Sequence, residues 1–406
     1  MDINKHGGEV LASGGFGCVF SPALKCMGSQ EREKKKISKL MTNKHAKEEY
    51  DELKYLNTKL NNIPNYQNYF LINNFTLCRP SKLTKNDLKN FKECGSFKKE
   101  NITVHNINDS LNQLLAINMP YGGVSLEDFM INNKDYDQLK TMNQKLLELL
   151  KNGIIPMNKK HIYHNDIKSS NILILTENGN MKARLIDWSL TLEYIPFKKN
   201  TFPNNWKNRP LQFNLPFSVI LFTDLFLDMY TDFIKTDNAT KRDKLYEFMK
   251  KYLQLWFKKR GPGHYKYINK IMYMLFKYEI LKNNNNIGNS NDISIKKLIE
   301  NNYTLPYIIN YLVNVTSQYV KIKPDGSINM RHYLDTIFIK LVDIWGFIIS
   351  YMPLYELLFI NYEILTDYQR NLFINLREMF LQYLYNSPNH LFKLNNLENT
   401  IETLIK

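Results

Sequence analysis

Two short stretches carry side chains suited to moving a phosphoryl group. In His161-Ile-Tyr-His-Asn-Asp-Ile-Lys-Ser-Ser-Asn171, the residues Asp166, Lys168 and Asn171 stand at offsets of two and five. A second acid, Asp187, follows an apolar run and opens Asp187-Trp-Ser189. Transfer from a nucleoside triphosphate to a hydroxyl needs an acceptor for the hydroxyl proton, a cation at the migrating phosphate, and oxygen ligands for Mg²⁺. Asp166 and Lys168 suit the first two tasks; Asn171 and Asp187 suit the third. The competing reading is a chance cluster of His, Asp and Asn in a polar loop, and the elements around it weigh against that.

Those elements can be read from pattern. Glu9-Val-Leu-Ala-Ser-Gly-Gly-Phe-Gly-Cys-Val-Phe20 predicts strand, tight turn, strand, with Gly14, Gly15 and Gly17 letting backbone amides approach an anion. The basic stretch from Lys34 to Met41 ends in an alternating strand that carries Lys39. A helix over about 43–60 follows, capped by Asn43, with Ala46, Tyr50, Leu53, Leu56 and Leu60 at helical spacing and Glu49 among them. Residues 61–110 are less legible: a strand within 68–77, then a Lys/Asn-rich inserted loop over 81–108. The stretch from Leu114 to Phe129 predicts a strand broken at Gly122-Gly123 and a helix capped by Ser125. A long helix over about 136–160 then leads to the Asp166 segment. Leu173–Thr176 and Ala183–Ile186 flank Asn178-Gly179, a hairpin signal that sets Asp187 just past a strand end.

His164-x-Asp166-x-Lys168-x-x-Asn171 resembles the catalytic loop of eukaryotic-type Ser/Thr protein kinases, and Asp187 resembles the aspartate of their Asp-Phe-Gly motif. The resemblance implies an α+β, bilobal kinase-like fold. A small β-rich N-lobe would span 1–119 and a large helical C-lobe 120–406, with a helical insertion over about 217–335. It also implies ATP and Mg²⁺. Leu11, Ala12, Ser13, Gly14, Gly15, Phe16, Gly17, Cys18 and Val19 would form the loop over the nucleotide, Phe16 capping phosphates and Val19 covering adenine. Lys39, with Lys36 as the alternative, would meet the α/β-phosphates and be held by Glu49, with Glu48 as its competitor. Met119 would guard the back of the adenine pocket, and Pro120 and Tyr121 would line the hinge. Asp166 and Lys168 would be catalytic; Asn171 and Asp187 would hold the metal. Asp343-Ile-Trp-Gly346 resembles the start of the kinase helix whose Asp steadies the catalytic-loop backbone, a plain buried helix residue being the other reading.

The departures from the family pattern have consequences. Ala12 replaces a glycine. Trp188-Ser189 replaces Phe-Gly, as in the Asp-aromatic-Ser/Thr form of haspin-like kinases. No Ala-Pro-Glu follows; Arg209-Pro-Leu-Gln-Phe-Asn-Leu-Pro216 takes its place, a segment that resembles kinases of giant DNA viruses of the mimivirus type. Asn165 stands where Arg is usual, which implies activity independent of phosphorylation at Ser189, Thr191 or Thr201. Two other classes stay open: a pseudokinase that binds nucleotide without transfer, and a small-molecule kinase of the aminoglycoside-phosphotransferase type.

The 406 residues carry a formal charge of +15, which favours anionic partners. Lys, Asn, Ile and Tyr are enriched throughout, a uniform bias rather than a nucleic-acid patch, so the expected partner is a protein bearing Ser or Thr. The four cysteines, Cys18, Cys26, Cys78 and Cys94, form no CxxC pair, and sparse, unpaired usage suits a reducing compartment. Met1–His6 lacks an apolar signal core. The apolar runs near 215–230 and 337–361 are interrupted by Asp224, Asp228, Lys340 and Asp343 and predict buried helices rather than membrane spans. A soluble, intracellular protein is the expectation, in host cytoplasm or virion if viral.

Overall fold

A computed structural model describes residues 9–133, 135–198, 202–236, 241–283, 292–322, 326, 328–385 and 392–405. The N-terminal hexapeptide, Thr201 and residues 284–291 of the asparagine tract lie outside them. The chain is α+β and divides into two compact units: Met1–Val124 with Leu173–Ser189, and Ser125–Ile172 with Leu190–Lys406.

The first unit is built on an antiparallel sheet in the order β1-β2-β3-β5-β4. Its strands are β1 (Glu9–Ser13), β2 (Gly17–Ser21), β3 (Lys36–Thr42), β4 (Thr76–Cys78) and β5 (Leu114–Pro120), and helix α1 (Asn43–Leu60) follows β3 directly. Side chains alternate across the sheet, so directly paired residues share a face. Val19, Lys39 and Ile117 lie opposite one another on one face. Met41 and Ile117 pack there with Ala46 of α1. Cys18, Leu40 and Ala116 lie on the other face and join a core with Phe91, Phe97, Ile102 and Ile107. The expected inserted loop at 81–108 therefore has a structural task. Its short 3-10 turns carry aromatic and aliphatic side chains onto the sheet's second face.

The cysteines depart from expectation. Cys18 is disulfide-bonded to Cys94 and Cys26 to Cys78, with Cα separations of 5.8 and 5.7 Å. Each bridge joins residues more than fifty positions apart, which no local spacing rule reveals. The unpaired reading is thus overturned, and cysteine usage no longer points to a reducing compartment.

The chain continues through β6 (Val124–Ser125), α2 (Leu126–Asn132), α3 (Tyr136–Glu148), α4 (Ile155–Lys159) and β7 (Ile162–Tyr163). Ser125 caps α2 as predicted, its Oγ accepting from the Asp128 N–H at 3.0 Å. The long helix expected over 136–160 is interrupted by a π turn, Leu149–Ile154. Pro156, which has no N–H and crowds the preceding turn, accounts for the break. Strands β8 (Ile172–Glu177) and β9 (Asn180–Leu185) follow, joined at Asn178-Gly179, where both residues take positive φ.

After β10 (Leu192–Glu193), the second unit is helical: α5 (Asp224–Ile234), α6 (Arg242–Arg260), α7 (Tyr265–Asn283), α8 (Asp292–Ile299), α9 (Leu305–Tyr319), α10 (Met330–Tyr333), α11 (Ile339–Ile349), α12 (Met352–Ile360), α13 (Asp367–Phe380) and α14 (Leu394–Glu402). Met330–Ile360 is the one stretch among the described residues long and apolar enough to cross a membrane, and 94% of its apolar window is buried within the protein.

Candidate active site

In the second unit, the segment after β7 presents Asp166 with a donor on each carboxylate oxygen. Lys168 Nζ donates to Oδ2 at 2.7 Å and Asn171 Nδ2 at 3.0 Å. Asn214 Nδ2 donates to Oδ1 at 2.8 Å. Asp166 is 8% exposed, so these bonds fix its direction in a site largely shielded from solvent. Asn171 also donates to the Asp166 carbonyl, at 2.8 Å, which commits its amide nitrogen and turns its Oδ1 away. Asp166, Lys168 and Asn171, predicted together, are together.

The backbone of this loop is held from α11. Asp343 is 1% exposed. Its carboxylate accepts from the His164 N–H at 2.9 Å, the Asn165 N–H at 2.9 Å and Asn158 Nδ2 at 2.7 Å. Burial pushes its carboxyl up, and those donors together with His164 pull it back toward the charged form. Three residues on, a Cβ at Gly346 would come within 2.5 Å of the Ile167 carbonyl, so only glycine lets α11 lie against the loop. Trp345 Nε1 donates to the Phe213 carbonyl at 2.9 Å. The Asp343-Ile-Trp-Gly346 motif is therefore the clamp that its resemblance implied, rather than a plain buried segment.

Asn165, in the place of the usual Arg, is fully buried with φ of 63°, a left-handed conformation that Asn tolerates. Its Nδ2 donates to the Leu190 carbonyl at 3.1 Å and its Oδ1 accepts from Trp206 Nε1 at 2.6 Å. An amide thus ties the loop to the following segment.

Residues 208–211 are braced by α6 and the turn that follows it. Arg260 Nε donates to the Asn208 carbonyl at 3.1 Å, Trp256 Nε1 to that of Arg209 at 3.2 Å, and the His264 N–H to that of Leu211 at 2.8 Å. Gly263 takes positive φ, and a Cβ there would collide with the Leu211 carbonyl. Burial lowers the Arg209 guanidinium and His264; Asp166 draws both the other way, while Lys168 and Arg209 add to the lowering at His264.

In the first unit, Lys39 Nζ meets both oxygens of Glu49, at 2.6 and 2.9 Å. The alternatives are otherwise engaged: Lys36 pairs with Glu33, and Glu48 sits 4.0 Å from Lys44 on an exposed face. Val19 lies opposite Lys39 in register. The turn between β1 and β2 closes with the Gly14 N–H on the Gly17 carbonyl at 2.9 Å. A Cβ at Gly17 would fall 2.5 Å from the Leu40 carbonyl. Leu11 and Phe16 are exposed, and the Phe16 ring meets His45 of α1 edge-on at 4.9 Å. Ala12 and Ser13 pair with Val19 and Cys18, and Gly15 sits in open space. Cys18 is the exception within this loop: its side chain is buried on the opposite face from Lys39, bonded to Cys94, because its strand position alternates with Val19. Met119 packs beside Ile117. Tyr121 gives its N–H to the Lys35 carbonyl at 3.0 Å.

Asp187 has φ of 61° and accepts from Ser189 Oγ at 2.8 Å. The Trp188 ring packs edge-on against Phe70 at 5.5 Å, which gives the aromatic of this motif a buried seat. Among the described residues no cluster of three or more His, Cys, Asp or Glu suits a metal ion. Asp187 offers a carboxylate in the first unit and Asn171 an amide oxygen in the second, each the kind of oxygen donor that hard cations take.

Sequence reasoning missed Asn214 and Glu52. Nothing local marks Asn214, which lies 48 residues from Asp166. Glu52 did leave a signal, since it follows Glu49 by three positions and shares its helix face. Its carboxyl is pushed up to about 7 by burial first, then by the negative charges of Glu49 and Asp187, with Lys39 opposing.

No protein-family model and no curated protein matches the chain. Among solved structures, a crystallised kinase domain from Plasmodium is similar over 82% of this chain and 94% of its own length, at 15% identity and a TM-score of 0.33.

Proposed function

We propose that the chain is an ATP-dependent Ser/Thr protein kinase, with residues 1–119 as nucleotide lobe and 120–406 as catalytic and substrate lobe. The observation that carries this reading is the Asp166 carboxylate, held on both oxygens, with a lysine two residues downstream as one of its donors. The acceptor hydroxyl oxygen forms a bond to the γ-phosphorus as the bond to the β,γ-bridging oxygen breaks. ADP leaves, and the hydroxyl proton passes to Asp166. Lys168 neutralises charge on the migrating group, and Lys39, fixed by Glu49, holds the α/β-phosphates. Asn171 and Asp187 would hold Mg²⁺, which when bound neutralises phosphate charge. Ser/Thr proteins as substrates follow from the Asp-x-Lys form of the loop. Kinship with haspin-like and giant-virus kinases rests on Asp187-Trp-Ser189 and on Arg209–Pro216.

The test is γ-phosphate transfer by purified protein to acidic proteins, basic proteins and small alcohols, with Asp187→Ala as control. Transfer to protein Ser or Thr, lost in the variant, is expected. Transfer to small alcohols alone would identify a small-molecule kinase. Thermal stabilisation by ATP without any transfer would identify a pseudokinase.

A further inference from the structure

The second unit holds a cavity of about 630 Å³ that none of the groups on the Asp166 carboxylate lines. That volume is in the range of small-molecule sites, about 300–1,000 Å³. Its walls are mainly apolar, from Ile155 of α4, Ile339 and Ile344 of α11, and Phe392 and Leu394 before and within α14.

The amide, the carboxylate and the ammonium groups on its lining divide into two kinds. Asn158 is spent on Asp343 and on the Ile162 carbonyl. Asp335, the lining acid, is saturated: it accepts from Tyr194 Oη, from the Phe197 N–H at 3.1 Å and from Arg331 at 3.2 Å. Lys159 and Lys340 are exposed and have no carboxylate partner among the described residues. The cavity is therefore an apolar space with uncompensated positive charge among its lining residues.

The rim is strained in a way that core packing does not explain. Phe197 is 66% exposed and has φ of 60°, the left-handed region that a bulky residue rarely enters. Its N–H bond to the buried Asp335 holds it there. His161, also on the lining, has φ of 62°. A backbone distortion that keeps an aromatic ring in water at the edge of an apolar cavity is unfavourable, and such outliers cluster at ligand sites.

We propose that this cavity binds a single-chain anionic amphiphile of the long-chain fatty-acid class. Its chain lies along the isoleucine, leucine and phenylalanine walls under the Phe197 ring, and its carboxylate meets Lys159 and Lys340. The site is separate from phosphoryl transfer, and its test does not depend on catalysis.

The full-length protein is titrated with dansyl-undecanoate below its micellar concentration, followed by probe fluorescence and by competition with palmitate. Saturable binding at one site, displaced by palmitate, is expected. Lys159→Glu with Lys340→Glu weakens it by about tenfold or more, and the uncharged dansyl-undecanamide binds weaker by a similar factor. Ile155→Trp, which fills the cavity from a half-exposed position, removes binding. If that variant is destabilised, the exposed lysine pair carries the test alone. Non-saturable binding, or equal affinity of parent and double-lysine variant, would overturn the proposal.

Discussion

Asp166 takes its donors from two places, and the one on Oδ1 comes from outside residues 164–171. Removing it should therefore affect turnover more than nucleotide binding. Asn214→Ala is expected to lower kcat by about 10–100-fold, the scale of a misoriented catalytic group, with KM for ATP nearly unchanged. An unchanged kcat would make Asn214 a packing residue only. Glu52 gives a prediction in pH. Its carboxyl titrates near 7 in the folded protein against an ordinary 4.5, so between those values the folded state holds the extra proton. The stability attached to this group is present below the ordinary value and is lost as pH rises through about 7. Glu52→Gln removes that loss, so its melting temperature should exceed the parent's at about pH 8 and converge with it in acid. Coincident profiles at both ends would show that Glu52 is solvated.

At the level of elements, strand β2 and the 81–108 segment form one body through the shared core and the Cys18–Cys94 bridge. Protein denatured without reductant should show no reactive thiol, and Cys94→Ser should cost about 2–5 kcal/mol of stability, measured by denaturant unfolding in non-reducing buffer. Four alkylatable thiols in the untreated protein would contradict the pairing. The tie between Asn165, Leu190 and Trp206 works without a phosphate. Activity should accordingly be the same before and after phosphorylation of Ser189 or Thr191, checked by phosphatase treatment; a large drop on dephosphorylation would refute it. These two elements also mark the limit of sequence reading. Gly14, Gly15 and Gly17, the Lys39–Glu49 pair and the Asn178-Gly179 hairpin are legible because each depends on residues within about one turn, strand or helix of one another. The disulfides and the Asn165–Trp206 bond join positions 76, 52 and 41 apart, where only the folded chain supplies the information.

Across the whole molecule, the α+β division was legible from strand-period and helix-period patterning in the two parts of the chain, and the grouping of Lys168 and Asn171 on Asp166 from their spacing alone. The bracing by α6 and the turn after it was not, because its bonds go to carbonyls of residues 208, 209 and 211, and backbone acceptors carry no sequence signature. The proposed phosphoryl transfer requires Asp166 as the proton acceptor for an incoming hydroxyl. The measurement that addresses this most directly is a paired one on Asp166→Asn: ATP affinity by calorimetry and γ-phosphate transfer by radiolabel, on the same preparation. The account predicts affinity within about threefold of the parent and transfer lowered by about 10²–10⁴-fold. Retained transfer, or loss of binding and transfer in equal measure, would contradict it.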